Sequence, residues 1–179
     1  NKVSSLSDTS ANIIPVREMI VLNSYEKLED IAAENDVEII PHHFESDRIK
    51  GLYCDQVIAL SSMLRTYPEK ACVLAEELGH YHTSSGNIID TSNVQNQKQE
   101  MRARMWAYDR QVGLIGIVES FRAGCRTLSE MAEYLEVTEE FLGDALERYR
   151  QKYGIYVTVD HYIIYFEPYL AVAEMLSDD

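Results

Sequence analysis

Three side chains in the stretch ACVLAEELGHYHTSSGN, residues 71–87, are spaced for chemistry: Glu76, Glu77 and His80. Residues four apart share a helix face, so the Glu76 carboxylate and the His80 imidazole can reach one cation. Glu77 lies about 100° further round such a helix, where it can address a water on that cation instead of binding the ion itself. The frame is that of H-E-x-x-H, two ligands at i and i+4 with a general-base glutamate beside the first, but glutamate replaces the first histidine. His82 would point elsewhere on a regular helix and joins the same ion only if the helix has already ended.

A catalytic zinc site takes three protein ligands and keeps one position open. The stretch NQKQEMRARMWAYDRQ offers Glu100, 20 residues beyond His80, as the third ligand. The plain alternative is a solvated helix face that ends in histidine, with Glu100 an ordinary surface acid. His42 and His43 are adjacent in a strand-like run and face opposite sides, so they do not share an ion. Tyr67 and Tyr81 flank the motif helix and could polarise a carbonyl, although the chain has 12 tyrosines to choose from. Cys72, one turn before Glu76, is expected to be buried, and Trp106 to sit in the core.

The elements that must carry these groups read as follows. Asn23-Ser-Tyr-Glu26 is a capping box opening a helix to about Asn35, with Leu28, Ile31, Ala32 and Val37 on one face. Three β-like runs follow, 38–44, 49–54 and 56–61, with Pro41 marking an edge or a bend and Asp55 a tight hairpin. Thr66-Tyr-Pro68 starts the motif helix, which should stop near Ser84-Ser85-Gly86. A capping box at Ser92–Gln95 leads a long helix to Val112, with Met101, Met105, Tyr108 and Val112 at helical spacing. Gly113 and Gly116 loosen the join to a short helix, 117–123. Thr127–Glu130 caps a helix at 128–135, the turn 136–138 leads to another ending at Gly154, and 155–166 reads as a hairpin around Asp160-His161. A short helix is expected after Pro168. Strands followed by helices argue for an α+β fold.

Composition bounds the function. A chain of 179 residues, 46% hydrophobic, can bury a core. A net charge of −14 argues against a nucleic-acid surface and against anionic membranes. No apolar run reaches the roughly 18 residues that span a bilayer. The segment 13–22 is broken by Pro15, Arg17 and Glu18 and makes a poor signal peptide. Cys54, Cys72 and Cys125 form neither a disulfide framework nor a thiolate zinc site, which suits a reducing, cytoplasmic setting. The leading residues, which begin at Asn1 without Met, read as a flexible tail.

The blocks GLYCDQVIALS, ACVLAEELGHYHTSSGNIID, NQKQEMRARMWAYDRQV and LSEMAEYLEVTEEFLGDALERYRQKYG together resemble the ImmA/IrrE metallopeptidases, in particular compact forms carried by phages and mobile elements. The resemblance runs from Ser24 to Phe166. It implies a zincin-like α+β core over 23–125, after a tail at 1–22. Helix-turn-helix-like helices and a C-terminal β-hairpin would fill 126–179. It also implies metal ligands at Glu76, His80 and Glu100 and a general base at Glu77. The cofactor would be Zn²⁺, with Mn²⁺ or Fe²⁺ as competitors because a second carboxylate favours harder ions. Two carboxylates and one imidazole around a dication sum to zero charge, against +1 for two histidines and one glutamate, so the ion should acidify its water less. Members of the family relieve repression by cleaving a helix-turn-helix repressor, so a repressor is the expected protein partner and an anti-repressor the expected role. The alternative is a catalytically weak or inactive metal-binding protein that sequesters a repressor.

Gly51, Leu52 and Tyr53 are candidate substrate contacts, since an exposed strand can pair with extended peptide. The pair of helices at 128–153 places Ala132, Val137, Phe141, Ala145 and Leu146 as in a helix-turn-helix. Its second helix opens on Glu139-Glu140, however, where a DNA reader carries basic or amide side chains, so protein packing is the better reading. Lys98, Arg102, Arg104 and Arg110 form a basic cluster, read as a solvated face or as a guide for an acidic stretch of substrate.

Overall fold

The computed structural model describes residues 22–83 and 93–175. Helix α1 (Ser24–Glu34) opens on the expected capping box. Asn23 Oδ1 accepts the Glu26 N–H at 2.9 Å, and the Glu26 carboxylate accepts the Asn23 N–H at 2.8 Å. The helix buries Leu28 and Ala32, and Val37 continues that apolar face into the sheet.

Strands β1 (Glu38–His42), β2 (Gly51–Cys54) and β3 (Val57–Ser61) form one mixed sheet in the order β1-β3-β2. Asp55 and Gln56 both take positive φ, 47° and 66°, which gives the two-residue β2–β3 hairpin the twist its strands need. β3 is central, buries Ile58 and Leu60, and pairs in parallel with β1. Pro41 therefore lies on an edge strand, where its missing N–H costs least. β2 is the other edge.

Helix α2 (Tyr67–Thr83) carries the motif. Its start is held by a reciprocal pair: Thr66 Oγ1 accepts the Glu69 N–H at 3.3 Å, and the Glu69 carboxylate accepts the Thr66 N–H at 2.9 Å. Ala71, Leu74, Ala75 and Leu78 are its buried stripe. The stop expected near Ser84–Gly86, the capping box at Ser92–Gln95 and the leading tail lie outside the described residues.

Helix α3 (Asn93–Gln111) differs from expectation in the face it buries. Ala103 and Ala107 are fully buried with Tyr108 and Val112, while Met101 and Met105 are only half-buried. The small residues win because α2 lies too close for longer side chains. Helix α4 (Gly113–Arg122) begins four residues earlier than expected. Gly113, at φ 58°, supplies the whole break, and Gly116 lies within the helix facing Leu135.

Helices α5 (Leu128–Tyr134) and α6 (Glu139–Tyr153) follow, with a full capping box at Thr127–Glu130 and an N-cap at Thr138. Ala132, Val137, Phe141 and Ala145 are buried at their junction. The chain then forms β4 (Tyr156–Val159), β5 (Tyr162–Tyr165) and β6 (Ala171–Glu174). The expected C-terminal helix is instead the third strand of an antiparallel sheet ordered β4-β5-β6, so the C-terminal hairpin is extended. The reason is local. The run 169–176 is rich in helix formers, but a helix of about two turns is marginal by itself, whereas the free edge of β5 offers Ala171–Glu174 backbone partners. One continuous core cluster runs from Leu28 to Phe166. The fold is α+β.

Candidate metal centre and cleft

The motif is positioned by two backbone approaches, each made at a glycine. Gly79 is buried where α2 meets α3, and these helices share the most extensive contact of any two elements. A methyl group on Gly79 would lie 2.9 Å from the Ala103 carbonyl carbon and closer still to its oxygen. That proximity carries the next residue, His80, across the seam: its Nε2 lies 3.3 Å from Glu100 Oε2. The other Glu100 oxygen, Oε1, accepts a hydrogen bond from Arg104 Nε at 2.7 Å. The two oxygens of one carboxylate are thus divided between an imidazole and a guanidinium. The imidazole, then the guanidinium, hold the Glu100 carboxyl far down, at about 2, against the opposing effect of burial. The same contact raises His80.

The second approach is between β2 and α2. A methyl group on Gly51 would lie 2.7 Å from Glu77 Oε1 and 2.6 Å from Val73 Cγ1. Glycine therefore lets edge strand β2 lie directly over Glu77. Burial pushes the Glu77 carboxyl up to about 7, opposed by His80 and by a hydrogen bond from the Tyr53 backbone N–H. Glu76, half-buried one turn before His80, is likewise raised by burial, and Arg104 is the strongest opposing influence.

These groups border a cleft of ≈ 710 Å³ between Arg48–Leu52 on one side and the start of α6 on the other. Glu76, Glu77 and Arg104 line it, with Cys72 and Val73 from α2 and Phe141 and Asp144 from α6. His80 and Glu100 are not among the lining residues.

Of the residues expected at the site, the structure brings His80 and Glu100 into contact and sets Glu76 and Glu77 beside them. Among the described residues, no three His, Cys, Asp or Glu side chains converge into a complete cage. The donor chemistry nevertheless suits a divalent ion. Tetrahedral bonds of about 2.0 Å put neighbouring ligand atoms roughly 3.3 Å apart, the spacing that His80 and Glu100 already have. Glu76 supplies a second carboxylate on the same helix face as His80.

Gly51 and Leu52 line the cleft, whereas Tyr53 contributes its backbone and turns its ring to Tyr81, 5.8 Å between centroids. His82 stacks on Trp106 with ring centroids 4.6 Å apart and planes at 24°, so it serves the helix seam. Trp106 is half-buried in that stack and not in the core proper. Tyr67 rests beside Tyr25, and neither it nor Tyr81 lines the cleft. His42 and His43 are exposed. Of the basic cluster, Lys98, Arg102 and Arg110 are exposed and Arg104 alone turns into the cleft. Sequence reasoning missed the Gly79–Ala103 approach and the singular position of Arg104. The i,i+4 spacing of Glu100 and Arg104 was the available signal for the second.

An acid- and imidazole-bearing helix, crossed by a helix that supplies a further glutamate and overlain by an edge strand, defines a metallopeptidase-type scaffold. The family model described as the IrrE N-terminal-like domain, peptidase M78, matches residues 32–147, and the chain belongs to that family of ImmA/IrrE metallopeptidases. Membership implies a metal ion and a protein substrate. No curated protein and no solved structure matches the chain. No helix among the described residues is long and apolar enough to cross a membrane.

Proposed function

We propose that the protein is a metal-dependent endopeptidase that inactivates a helix-turn-helix transcriptional repressor by cleavage, acting as an anti-repressor of a phage or mobile element. Glu76, His80 and Glu100 would hold the ion, Zn²⁺ or a harder competitor such as Mn²⁺ or Fe²⁺. When bound, the ion supplies Lewis-acid polarisation of a peptide carbonyl and acidification of water. Glu77 accepts the proton from the attacking water. The observation that carries this reading is the position of Glu77, a desolvated carboxylate directly under the β2 edge and within electrostatic reach of His80. A carboxylate raised to about 7 is poised to take and return a proton near neutral pH.

The free edge of β2 gives the substrate its place. Gly51 and Leu52 present backbone groups to the cleft, where extended peptide can add as a further strand. The repressor as substrate rests on the family resemblance, and the cytoplasmic setting on the thiol content.

Glu77→Gln tests the chemistry. The variant should keep its fold and its ion while cleavage of the repressor falls about 10²- to 10⁴-fold, the usual contribution of a general base. The rival reading, sequestration without cleavage, is favoured by the incomplete cage among the described residues. Derepression that survives Glu77→Gln would establish that reading and end the peptidase one.

A further inference from the structure

Glu76 and Glu77 line the cleft with three further carboxylates, Glu69, Glu140 and Asp144; of the cations that line it, Arg48, Lys50 and Arg104, the one that bonds Glu100 and acts most strongly on Glu76 is Arg104. It is not placed like the other members of its basic cluster. Arg104 is half-buried at the cleft wall, donates through Nε to Glu100 Oε1 at 2.7 Å, and lies within electrostatic reach of Glu76. By taking Oε1 it leaves Oε2 of Glu100 turned to His80.

We propose that Arg104 is the built-in counter-ion of the Glu76–Glu100 carboxylate pair, and that it restores to the site the positive charge that glutamate at position 76 removes. This rests on the proposed ligand set. Two carboxylates, one imidazole and a dication sum to zero, and the guanidinium brings the total to +1, the value of a site with two histidines and one glutamate. Arg104 is thus a positioning residue with two effects of opposite sign on ion affinity. It orients Glu100, which strengthens binding, and it repels the dication, which weakens it. Repulsion wins, because like charges a few ångströms apart in a partly dry cleft outweigh the loss of one oriented hydrogen bond. Arginine suits this role better than lysine, since its planar fork fixes direction as well as charge.

The test uses the full chain, stripped of metal and titrated with Zn²⁺ by calorimetry. Arg104→Met should bind Zn²⁺ at least about tenfold more tightly than wild type, whereas Arg104→Lys should stay near wild type. Affinity that is unchanged or lower in Arg104→Met overturns the proposal, as does an absence of binding in both proteins. His80→Ala separates this from the ligand assignment: undiminished Zn²⁺ binding there defeats the ligand set alone. A metal-free arm then decides for Arg104. In chelator, Arg104→Met should melt below wild type, and adding Glu76→Gln should restore the loss, since the carboxylate that needed the counter-ion is gone. No restoration by Glu76→Gln overturns the proposal whatever the ion does.

Discussion

The two approaches to helix α2 look alike and behave differently. Both use a glycine, and both would put a methyl group inside contact distance of a neighbour. At Gly79 the neighbour is the Ala103 backbone, held by the hydrogen bonds of its own helix. At Gly51 the neighbours are side-chain atoms, Val73 Cγ1 and the Cγ and Oε1 of Glu77. A backbone obstacle moves only if a whole helix moves, whereas a side chain can change rotamer at a smaller cost. The α2–α3 seam is therefore a matter of fold, and the β2–α2 contact a matter of where Glu77 points.

Gly79→Ala should show the largest effect. Overpacking a close helix seam costs about 1–3 kcal/mol. The melting temperature should fall by several degrees, and the contact between His80 and Glu100 should open with it. An unchanged melting temperature would show that the seam yields freely and erase the contrast. Gly51→Ala comes next, with a stability cost of about 1 kcal/mol, that of a side chain moved off its rotamer. Peptidase activity should nevertheless drop by roughly tenfold or more as Glu77 is displaced, a loss out of proportion to the stability cost. Parallel losses in activity and stability would place Gly51 with Gly79.

Thiol labelling sharpens the same contrast. Cys72 is buried on α2 against Thr138, whose N–H lies 3.4 Å from its sulfur, and burial raises the thiol to about 11. A raised thiol pKa means less thiolate at every pH below it, so alkylation at pH 8 should modify exposed Cys54 and spare Cys72. Gly51→Ala should preserve that selectivity. Rapid labelling of Cys72 in Gly51→Ala would mean that the β2 contact also holds the fold. The smallest effect belongs to a surface control. Arg150 pairs with Glu147 and Glu167 at 2.6 Å, with exposure close to that of the Arg104 pair, but it does not line the cleft. Arg150→Ala should leave both the melting temperature and the activity unchanged, because exposed ion pairs are largely screened.

The legible parts of this sequence are local. The capping boxes at Asn23–Glu26 and Thr127–Glu130 are written within four residues, and the structure forms both. The spacing of Glu76, Glu77 and His80 fixes their relative directions on a helix before any tertiary contact is known. Parallel pairing of β1 with β3 reaches past an intervening strand, so no short pattern announces it, and β6, although it pairs with the strand just before it, is written in residues that also favour a helix. The face of α3 was misjudged because a seam lined by alanine carries little hydrophobic signal beside two methionines. Arg104 was hidden for a related reason. Four basic residues on one helix look equivalent until the neighbouring helix is in place and selects one.

The stack of His82 on Trp106 joins the last turn of α2 to α3, about one turn along the seam from the Gly79–Ala103 approach. The chain has no other tryptophan. Its indole emission, excited at wavelengths the 12 tyrosines do not absorb, therefore arises from a single ring seated on the joint between the motif helix and α3. Any shift of that joint, whether from ion uptake or from a crowding substitution, changes the ring's surroundings and registers as a change in colour or brightness of the unlabelled protein.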